Sequence, residues 1–348
     1  KTANGSSSGR LVSLDVFRGL TVVLMIIVDD FGSILPCINH SPWNGLTLAD
    51  YVMPFFLFMV GVSLGLVYKN ISCKAAASKK ALLRAGKLLL LGIFLQGGYL
   101  HKIQDLTYGV DVEEIRWMGI LQRIAVAYLA AAVCEIWLRN DEKVASFQSL
   151  FKKYQWHWLA MAILTAVYLV LLYGLYVPDW EFRNPLLEES SEAKIIMVKC
   201  GMRGDTSPAC NAAGMIDRAI LGMRHMYKSA PIYSRTEQCS MKSPDYGPLP
   251  PDAPSWCNAP FDPEGLLSTV MAVVTCLMGL QYGHVIVHFK NHNDRLLLWL
   301  GSSSVFVIFG FLCDVSGIHI NKALYSLSYT CITTGCAGLL LAAAYVVV

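Results

Sequence analysis

The segment Asp29–Asp50 reads DDFGSILPCINHSPWNGLTLAD and joins two long apolar runs, Leu14–Val28 and Leu46–Val67. Each run is close to the ~20 residues that a helix needs to cross the hydrocarbon core of a membrane. The joining segment holds carboxylates, a histidine and a Trp-Asn-Gly turn. We therefore interpret it as the chemically active end of a bundle of membrane helices.

The composition supports a membrane protein. Of the 348 residues, 55% are hydrophobic and only 15% are charged, whereas a soluble domain carries about 25% charge. The sequence predicts an all-α polytopic membrane protein with about eight transmembrane helices and one large luminal loop. The predicted helices cover residues 14–35, 46–68, 82–100, 117–138, 156–177, 265–288, 296–313 and 323–348. The net charge of +3 is too small to indicate nucleic-acid binding.

The loop charges predict the orientation of these helices. The stretch around the start of the third helix has basic but no acidic side chains, namely Lys69, Lys74, Lys79, Lys80, Arg84 and Lys87. Such loops are enriched on the cytosolic side, which also places the N-terminus there. The next loop, 101–116, has the opposite bias and is predicted to be luminal.

This pattern divides the chain into four predicted parts. They are a flexible cytosolic tail (1–10), helices one to five with the catalytic luminal loop 29–50 (11–177), a luminal segment (178–264), and helices six to eight (265–348). The luminal segment contains four cysteines, which predict up to two disulfides with three pairings open: Cys200, Cys210, Cys239 and Cys257. The last apolar run reaches Val348, so we expect further helices to follow.

The candidate site is built around His40, which lies between two prolines and close to several carboxylates. A neutral imidazole can take a proton from an amine or hydroxyl, and a carboxylate can orient it. We predict His40 and Asp29 as catalytic residues. The predicted substrate-binding residues lie at the same helix ends: Asp30, Trp43, Asn44, Asp50, Gln122 and Arg123. The alternative is a solvated loop histidine with no chemical role.

Other patterns have simpler interpretations. Asp15 and Arg18 are spaced to pair on one helix face. His284, His288 and His292 are spaced by four, as in a metal site, but they approach the predicted cytosolic boundary, and we predict no metal. GxSxG, Walker A and HExxH motifs are absent from the sequence, so nothing favours a serine hydrolase, a P-loop NTPase or a zinc protease.

Six motifs occur in an order that is typical of one family. They are SLDVFRG (13–19), HSPWNGLTLAD (40–50), GILQR (119–123), AGMIDR (213–218), DPEG (262–265) and LYSLSY (324–329). The chain from residue 11 onward resembles the heparan-alpha-glucosaminide N-acetyltransferases, a family of transmembrane acetyltransferases. The resemblance covers essentially the whole chain, through the ordered set rather than through any single motif.

The resemblance implies transfer of acetyl from cytosolic acetyl-CoA to the amine of a terminal glucosamine or related sugar on the luminal side. It implies that the family's active-site histidine is His40, and that Asp29 replaces an asparagine of the animal enzyme. Arg18, Arg84 and Lys87 are predicted to hold the phosphates of acetyl-CoA. A lysosomal, vacuolar or other endomembrane location follows. The animal enzyme has a luminal N-terminal domain before this region, so we expect a shorter type such as occurs in plants and bacteria.

Two other functions remain open at this level. The first is an O-acetyltransferase that acts on a polysaccharide or glycolipid. The second is a solute transporter, although the sequence lacks the internal symmetry that often marks that class. The expected partners are acetyl-CoA, an amino sugar or glycan acceptor and the lipid bilayer, and a homodimer is left open.

Overall fold

The computed structural model describes residues 12–32, 35, 38–100, 108–110, 115–140, 142, 144, 146–183, 195–227 and 232–348, without the side chains of 97–100, 108–110, 183 and 232. The predicted tail 1–10 and the acidic residues of the loop 101–116, Asp105, Asp111, Glu113 and Glu114, lie outside the described residues. These parts of the sequence analysis therefore stay predictions.

The described residues are mainly helical. The α-helices are α1 (Val12–Phe31), α2 (Val52–Val67), α3 (Lys74–Gly97), α4 (Ile120–Trp137), α5 (Phe147–Lys153), α6 (Gln155–Gly174), α7 (Ala212–Ile220), α8 (Leu266–His288), α9 (His292–Val315) and α10 (Leu327–Val347). A 3₁₀ turn, Leu48–Tyr51, leads directly into α2. Each of the eight predicted helices overlaps one of these elements.

The structure extends the third predicted helix at its start. α3 begins at Lys74, eight positions before the predicted residue 82. The hydrophobic pattern detects only the apolar part of the helix. Lysine, arginine and alanine are also good helix formers, so the helix continues into the basic stretch.

Six helical segments in the described part of the chain are long and apolar enough to cross a membrane. They are Leu48–Val67, Ile120–Trp137, Gln155–Gly174, Leu266–His288, His292–Val315 and Leu327–Val347. α1 and α3 are as long as these but carry more charge, at both ends of α1 and along the first half of α3. The chain is thus a multi-pass, all-α membrane protein, and α1 and α3 remain predicted spans.

The region between α6 and α8 contains short paired strands and two disulfides. Its strands in the described part of the chain are β3 (Tyr176–Val177), β4 (Trp180–Arg183), β5 (Ile195–Val198) and β6 (Met202–Arg203). Two earlier strands, β1 (Gly98–Leu100) and β2 (Tyr108–Val110), lie between α3 and α4. They form antiparallel pairs β1–β2, β3–β6 and β4–β5. The disulfides are Cys200–Cys210 and Cys239–Cys257. The predicted two disulfides are confirmed, and the structure selects one of three pairings.

α8 is the central helix of the bundle, in contact with α2, α4, α6 and α10. In its most apolar stretch 89% of the residues are buried, against 22% in α6 and α9. α2 and α8 approach closely because each carries two glycines on the contact face: Gly61 and Gly65 on α2, and Gly279 and Gly283 on α8. Helices in lipid associate through such close packing of small residues, since the lipid tails supply no hydrophobic drive between them.

The glycine contact gives a test of the packing. A Cβ at Gly61 would lie 2.0 Å from the backbone oxygen of Cys276, so Gly61→Ala forces α2 and α8 apart. We expect it to destabilise the protein by about 1–3 kcal/mol, as for other overpacked cores. The readout is thermal unfolding in detergent. Gly86→Ala in α3 is the matched control because its Cβ meets nothing within 4 Å. Equal melting temperatures for the two variants would contradict this packing.

Candidate active site

The loop between α1 and α2 brings its histidine to the carboxylate that opens the next helix. His40 Nδ1 lies 2.8 Å from Asp50 Oδ1. The Asp50 side chain is fully buried, whereas 36% of the His40 side chain is exposed. A buried carboxylate needs a donor, so we assign the tautomer in which Nδ1–H donates to Asp50 and Nε2 carries the free lone pair.

The second carboxylate oxygen of Asp50 accepts hydrogen bonds from two other residues of the loop that contains His40. Oδ2 accepts hydrogen bonds from the backbone N–H of Ser41 (3.2 Å), the backbone N–H of Thr47 (3.0 Å) and the Thr47 hydroxyl (2.9 Å). Tyr329 of α10 donates its hydroxyl to the Asp50 carbonyl (2.5 Å). With these partners the carboxylate cannot rotate freely. The orientation of the His40 ring is therefore set by the backbone of its own loop.

Lys322 is the third member of the site, and the sequence analysis missed it. Its Nζ lies 2.8 Å from Nδ1 and 3.2 Å from Nε2 of His40, and 3.6 Å from Asp50 Oδ1. Lys322 stands immediately before the last predicted helix, in a segment between helices. The rule that ionisable groups near apolar spans are usually functional would have found it.

This arrangement keeps the imidazole neutral. Burial and the positive charge of Lys322 lower the pKa of His40 below its ordinary value of 6.5, although the hydrogen bond to Asp50 acts in the opposite direction. Burial likewise lowers the pKa of the Lys322 ammonium, while Asp50 and Glu264 oppose that shift. An imidazole whose pKa is lowered stays in the neutral form, which can accept a proton, to lower pH.

A second loop fixes the position of the first. Asn44 pairs with Asn321 as an isolated antiparallel bridge, and Asn321 Nδ2 donates to Asn44 Oδ1 (3.1 Å). Gly45 N donates to the Ile320 carbonyl (2.8 Å), and its φ of +118° favours glycine at this turn. Trp43 is buried and donates Nε1–H to the Thr206 carbonyl (3.0 Å). These contacts hold the α9–α10 loop against the His40 loop, so that Lys322 lies beside His40.

Two predicted residues at the start of α4 lie nearby but contact other groups. Arg123 is buried and donates to the Pro263 carbonyl and the Ser268 hydroxyl. Gln122 is buried and donates to Gln96, and its Oε1 has no hydrogen-bond partner among the described residues. Neither residue has a hydrogen bond to His40 in the described part of the chain. Their predicted role in substrate binding stays a prediction.

An ion-pair cluster lies beside this helix start. Arg116 pairs with Asp262 and Glu264, at 2.5 Å in each case. Burial raises the pKa of Glu264, but the charges of Arg123 and Arg116 outweigh it, so the net shift is downward. Glu264 is therefore ionised and adds negative charge near Lys322. The DPEG motif supplies Asp262 and Glu264, to which the sequence analysis gave no role.

The two carboxylates at the end of α1 are separate from this group. Asp29 and Asp30 are exposed, and no hydrogen bond to His40 is found for either within the described ranges. Asp50, predicted as a substrate-binding residue, is the carboxylate that contacts the imidazole. A catalytic role of Asp29 and a binding role of Asp30 remain predictions from the sequence.

The predicted donor-binding residues lie on the other half of the bundle. Arg18 pairs with Asp15 (3.2 Å), as predicted, and lies 3.5 Å from the Ser63 hydroxyl. Arg18 and Arg84 both line a cavity of about 260 Å³ between α1, α2, α3 and α4. Lys87 is exposed and does not line it.

Comparison with known proteins identifies one family that the chain resembles. A family model described as the catalytic region of heparan-alpha-glucosaminide N-acetyltransferase matches residues 10–179. The heparan-alpha-glucosaminide N-acetyltransferase of Mus musculus is 30% identical over 350 residues, which cover 93% of this chain and 47% of the relative. The Homo sapiens protein is 30% identical over 370 residues, or 97% and 49%. Over most of its length the chain is similar to the heparan-alpha-glucosaminide N-acetyltransferase family.

These matches confirm the resemblance of the ordered motifs to the heparan-alpha-glucosaminide N-acetyltransferase family. The match at residues 10–179 includes His40 and Asp50 and ends before Lys322. The chain spans about half the length of the curated relatives it matches. The activity and substrates of those relatives are consequently matters for a proposal here.

The electrostatics of the site formed by His40, Asp50 and Lys322 can be tested directly. Diethyl pyrocarbonate modifies neutral imidazoles, so its reaction rate at His40 follows the His40 titration. We expect a midpoint below pH 6.5 in the parent protein. Removing the neighbouring cation by Lys322→Gln raises the pKa of His40, because Asp50 still favours the protonated ring. The midpoint then moves to higher pH. The readout is the extent of modification of the His40 peptide by mass spectrometry.

Lys290→Gln is the control for this titration. Lys290 is exposed in the loop between α8 and α9, and its removal should leave the midpoint unchanged. A Lys322→Gln midpoint equal to that of the parent, or lower, would show that the ammonium does not act on His40.

Proposed function

We propose that this protein transfers acetyl from acetyl-CoA to the amine of a terminal glucosamine or a related sugar, with His40 as the catalytic base. The observation that supports the proposal best is the group formed by His40, Asp50 and Lys322. It joins an oriented neutral imidazole to a cation at a partly exposed helix end. Similarity to the N-acetyltransferase family supports the reaction class.

In this proposal His40 Nε2 takes the proton from the acceptor amine as the amine attacks the thioester carbonyl. The C–N bond forms and the C–S bond breaks. The proton then passes from His40 to the departing thiolate, so the products are the acetamido sugar and coenzyme A. Asp50 holds the ring in the required tautomer and stabilises the imidazolium that forms. A positioned base of this kind contributes roughly 10²–10⁴-fold to rate.

Lys322 has a different role in the same step. In the free protein its Nζ is 3.2 Å from Nε2, the atom that must receive the proton. Because the ammonium is still closer to Nδ1 (2.8 Å), the acceptor amine must displace it from the edge of the ring to reach Nε2. The ammonium of Lys322 then pairs with the negative charge that develops on the thioester oxygen. Such preorganised stabilisation of an oxyanion is often the largest catalytic contribution.

The cavity between α1, α2, α3 and α4 supports a path for acetyl-CoA, the acetyl donor. It is lined by Arg18 and Arg84 and by apolar side chains that include Phe56, Val60 and Ile124. Phe56 follows Asp50 by six residues, or about 9 Å along the helix axis. Arginine donates in a fork that suits phosphate oxygens, and the apolar lining suits a pantetheine arm. We place the nucleotide on the side of the basic loops, which is predicted to be cytosolic.

The acceptor side is formed by the segment between α6 and α8. Arg235 donates to the Asn39 side chain (3.1 Å), and Asn39 Oδ1 also accepts from the His40 backbone N–H (2.8 Å). This segment thus contacts the His40 loop at the residue next to His40. We propose that the sugar docks between them, on the predicted luminal side, in a lysosomal, vacuolar or related membrane.

Replacing the base tests the proposal. We expect His40→Ala to reduce transfer from labelled acetyl-CoA to glucosamine-terminated oligosaccharides by at least about 100-fold, the lower range for loss of a general base. The measurement uses the purified chain in nanodiscs. His319→Ala is the matched control, since His319 lies in the Lys322 loop with a side chain that is 57% exposed. Normal activity of His40→Ala would exclude this site.

The same preparation separates the remaining alternatives. Acetyl trapped on His40 without acceptor would show a covalent intermediate, in which Nε2 itself attacks the thioester. A panel of amine and hydroxyl acceptors distinguishes N-acetyl from O-acetyl transfer. Solute uptake by proteoliposomes without acyl-CoA would instead indicate a transporter.

The donor cavity gives a separate prediction. We expect Arg18→Gln and Arg84→Gln each to raise KM for acetyl-CoA about five-fold, since an exposed charged contact contributes about 1 kcal/mol. The readout is steady-state kinetics at varied acetyl-CoA. Lys87→Gln should change KM less because Lys87 lies outside the cavity, and Lys290→Gln is the unchanged control. An effect of Lys87→Gln that exceeds both arginine variants would move the nucleotide away from this cavity.

A further inference from the structure

Three buried side chains from three different helices meet at the opposite end of the bundle from His40. They are Glu135 of α4, His157 of α6 and His284 of α8, each no more than 1% exposed. One ligand atom from each lies within 4.8 Å of the others. His284 is twenty positions beyond Glu264, or about 30 Å along α8. The acetyl-transfer chemistry at His40 therefore does not use this cluster.

His157 has a free nitrogen that faces the cluster. Its Nε2–H donates to the Cys134 carbonyl (3.0 Å), which leaves the lone pair on Nδ1. Nδ1 is buried without a hydrogen-bond partner among the described residues, and it lies 4.0 Å from Glu135 Oε2. An imidazole with one nitrogen on a backbone carbonyl and the other free is the usual arrangement of a metal-binding histidine.

His284 also faces the cluster, but the nitrogen that it turns there already has a hydrogen-bond partner. Its Nδ1 lies 3.3 Å from Gln281 Oε1, and its Nε2 lies 2.7 Å from Glu135 Oε2. The Tyr154 ring stacks on the His284 ring with centroids 3.5 Å apart and an angle of 8° between the planes. The orientation of His284 is thus fixed before any ion binds. Glu135 Oε1 faces Arg139 (3.4 Å), and Oε2 is the oxygen shared by the cluster.

We propose that Glu135, His157 and His284 bind a divalent transition metal of the zinc type. Two imidazole nitrogens and one carboxylate oxygen are ligands that zinc takes in proteins, with a fourth position left for water. Calcium and magnesium prefer all-oxygen sites. The ion stabilises the bundle by joining α4, α6 and α8 at the end away from His40.

This proposal departs from the metal-free expectation of the sequence analysis. The regular spacing of His284, His288 and His292 suggested one helical face, but only His284 enters the cluster. His288 Nε2 faces the Tyr154 hydroxyl (3.0 Å), and His292 Nδ1 faces the Tyr345 hydroxyl. The partners of His284 come from other helices, so sequence spacing could not identify them.

Metal binding by the purified chain in nanodiscs tests the proposal. After chelator treatment, Zn²⁺ or Co²⁺ is added, and bound metal is measured by mass spectrometry and by cobalt absorption in the visible region. We expect stoichiometric binding by the parent and at least ten-fold weaker binding by His157→Gln and by His284→Gln. His288→Gln and His40→Gln should bind as the parent does. Zn²⁺ should also raise the melting temperature of the parent but not of His157→Gln.

A further variant covers the case in which His157→Gln does not fold. His157→Cys supplies a thiolate, which is another zinc ligand, and should restore binding with a cobalt–thiolate absorption band that the parent lacks. Failure of the parent to bind either ion, or unchanged binding in His157→Gln, would overturn the proposal. Loss of binding in His40→Gln would place the ion at His40 instead.

Discussion

The buried carboxylate of Asp50 is the constraint on which the candidate active site depends. A charged group without solvent is costly unless it is fully paired. Asp50 meets this requirement with one oxygen toward His40 and Lys322 and the other toward Ser41 and Thr47. Satisfying the carboxylate therefore folds the α1–α2 loop, orients the imidazole and attracts the lysine. The chemistry of the site and the local stability of the loop have the same cause.

The central helix α8 connects the two polar groups of the bundle. It begins after the DPEG motif, beside the group that contains Lys322 and His40, and it carries His284 near its other end. Its middle is apolar and packed against α2 through glycines. Polar groups at membrane depth are tolerated where helices enclose them. Burying α8 among its neighbours allows both clusters to exist at its two ends.

Much of the architecture followed from the sequence because apolar length is a strong signal. All eight predicted spans overlap helices, and the four cysteines of the region between α6 and α8 form two disulfides. The His40 loop was identified because its side chains are unusual between two apolar runs. α3 begins eight residues before the predicted span 82–100, since a hydrophobic pattern does not register a helix that continues through lysines. Lys322 was missed because one charge before an apolar run resembles an ordinary boundary.

The sequence by itself determined the membrane class, the helix positions, the polar loop with His40 and the ordered motifs of the family. Tertiary structure alone decided which carboxylate meets the histidine, because Asp29 and Asp50 are both close to His40 along the chain. It also decided which cation faces the imidazole and which disulfides form. Periodicity within one helix records which residues share a face. It does not record which faces of different helices meet, and both the His40 group and the Glu135 cluster arise from such meetings.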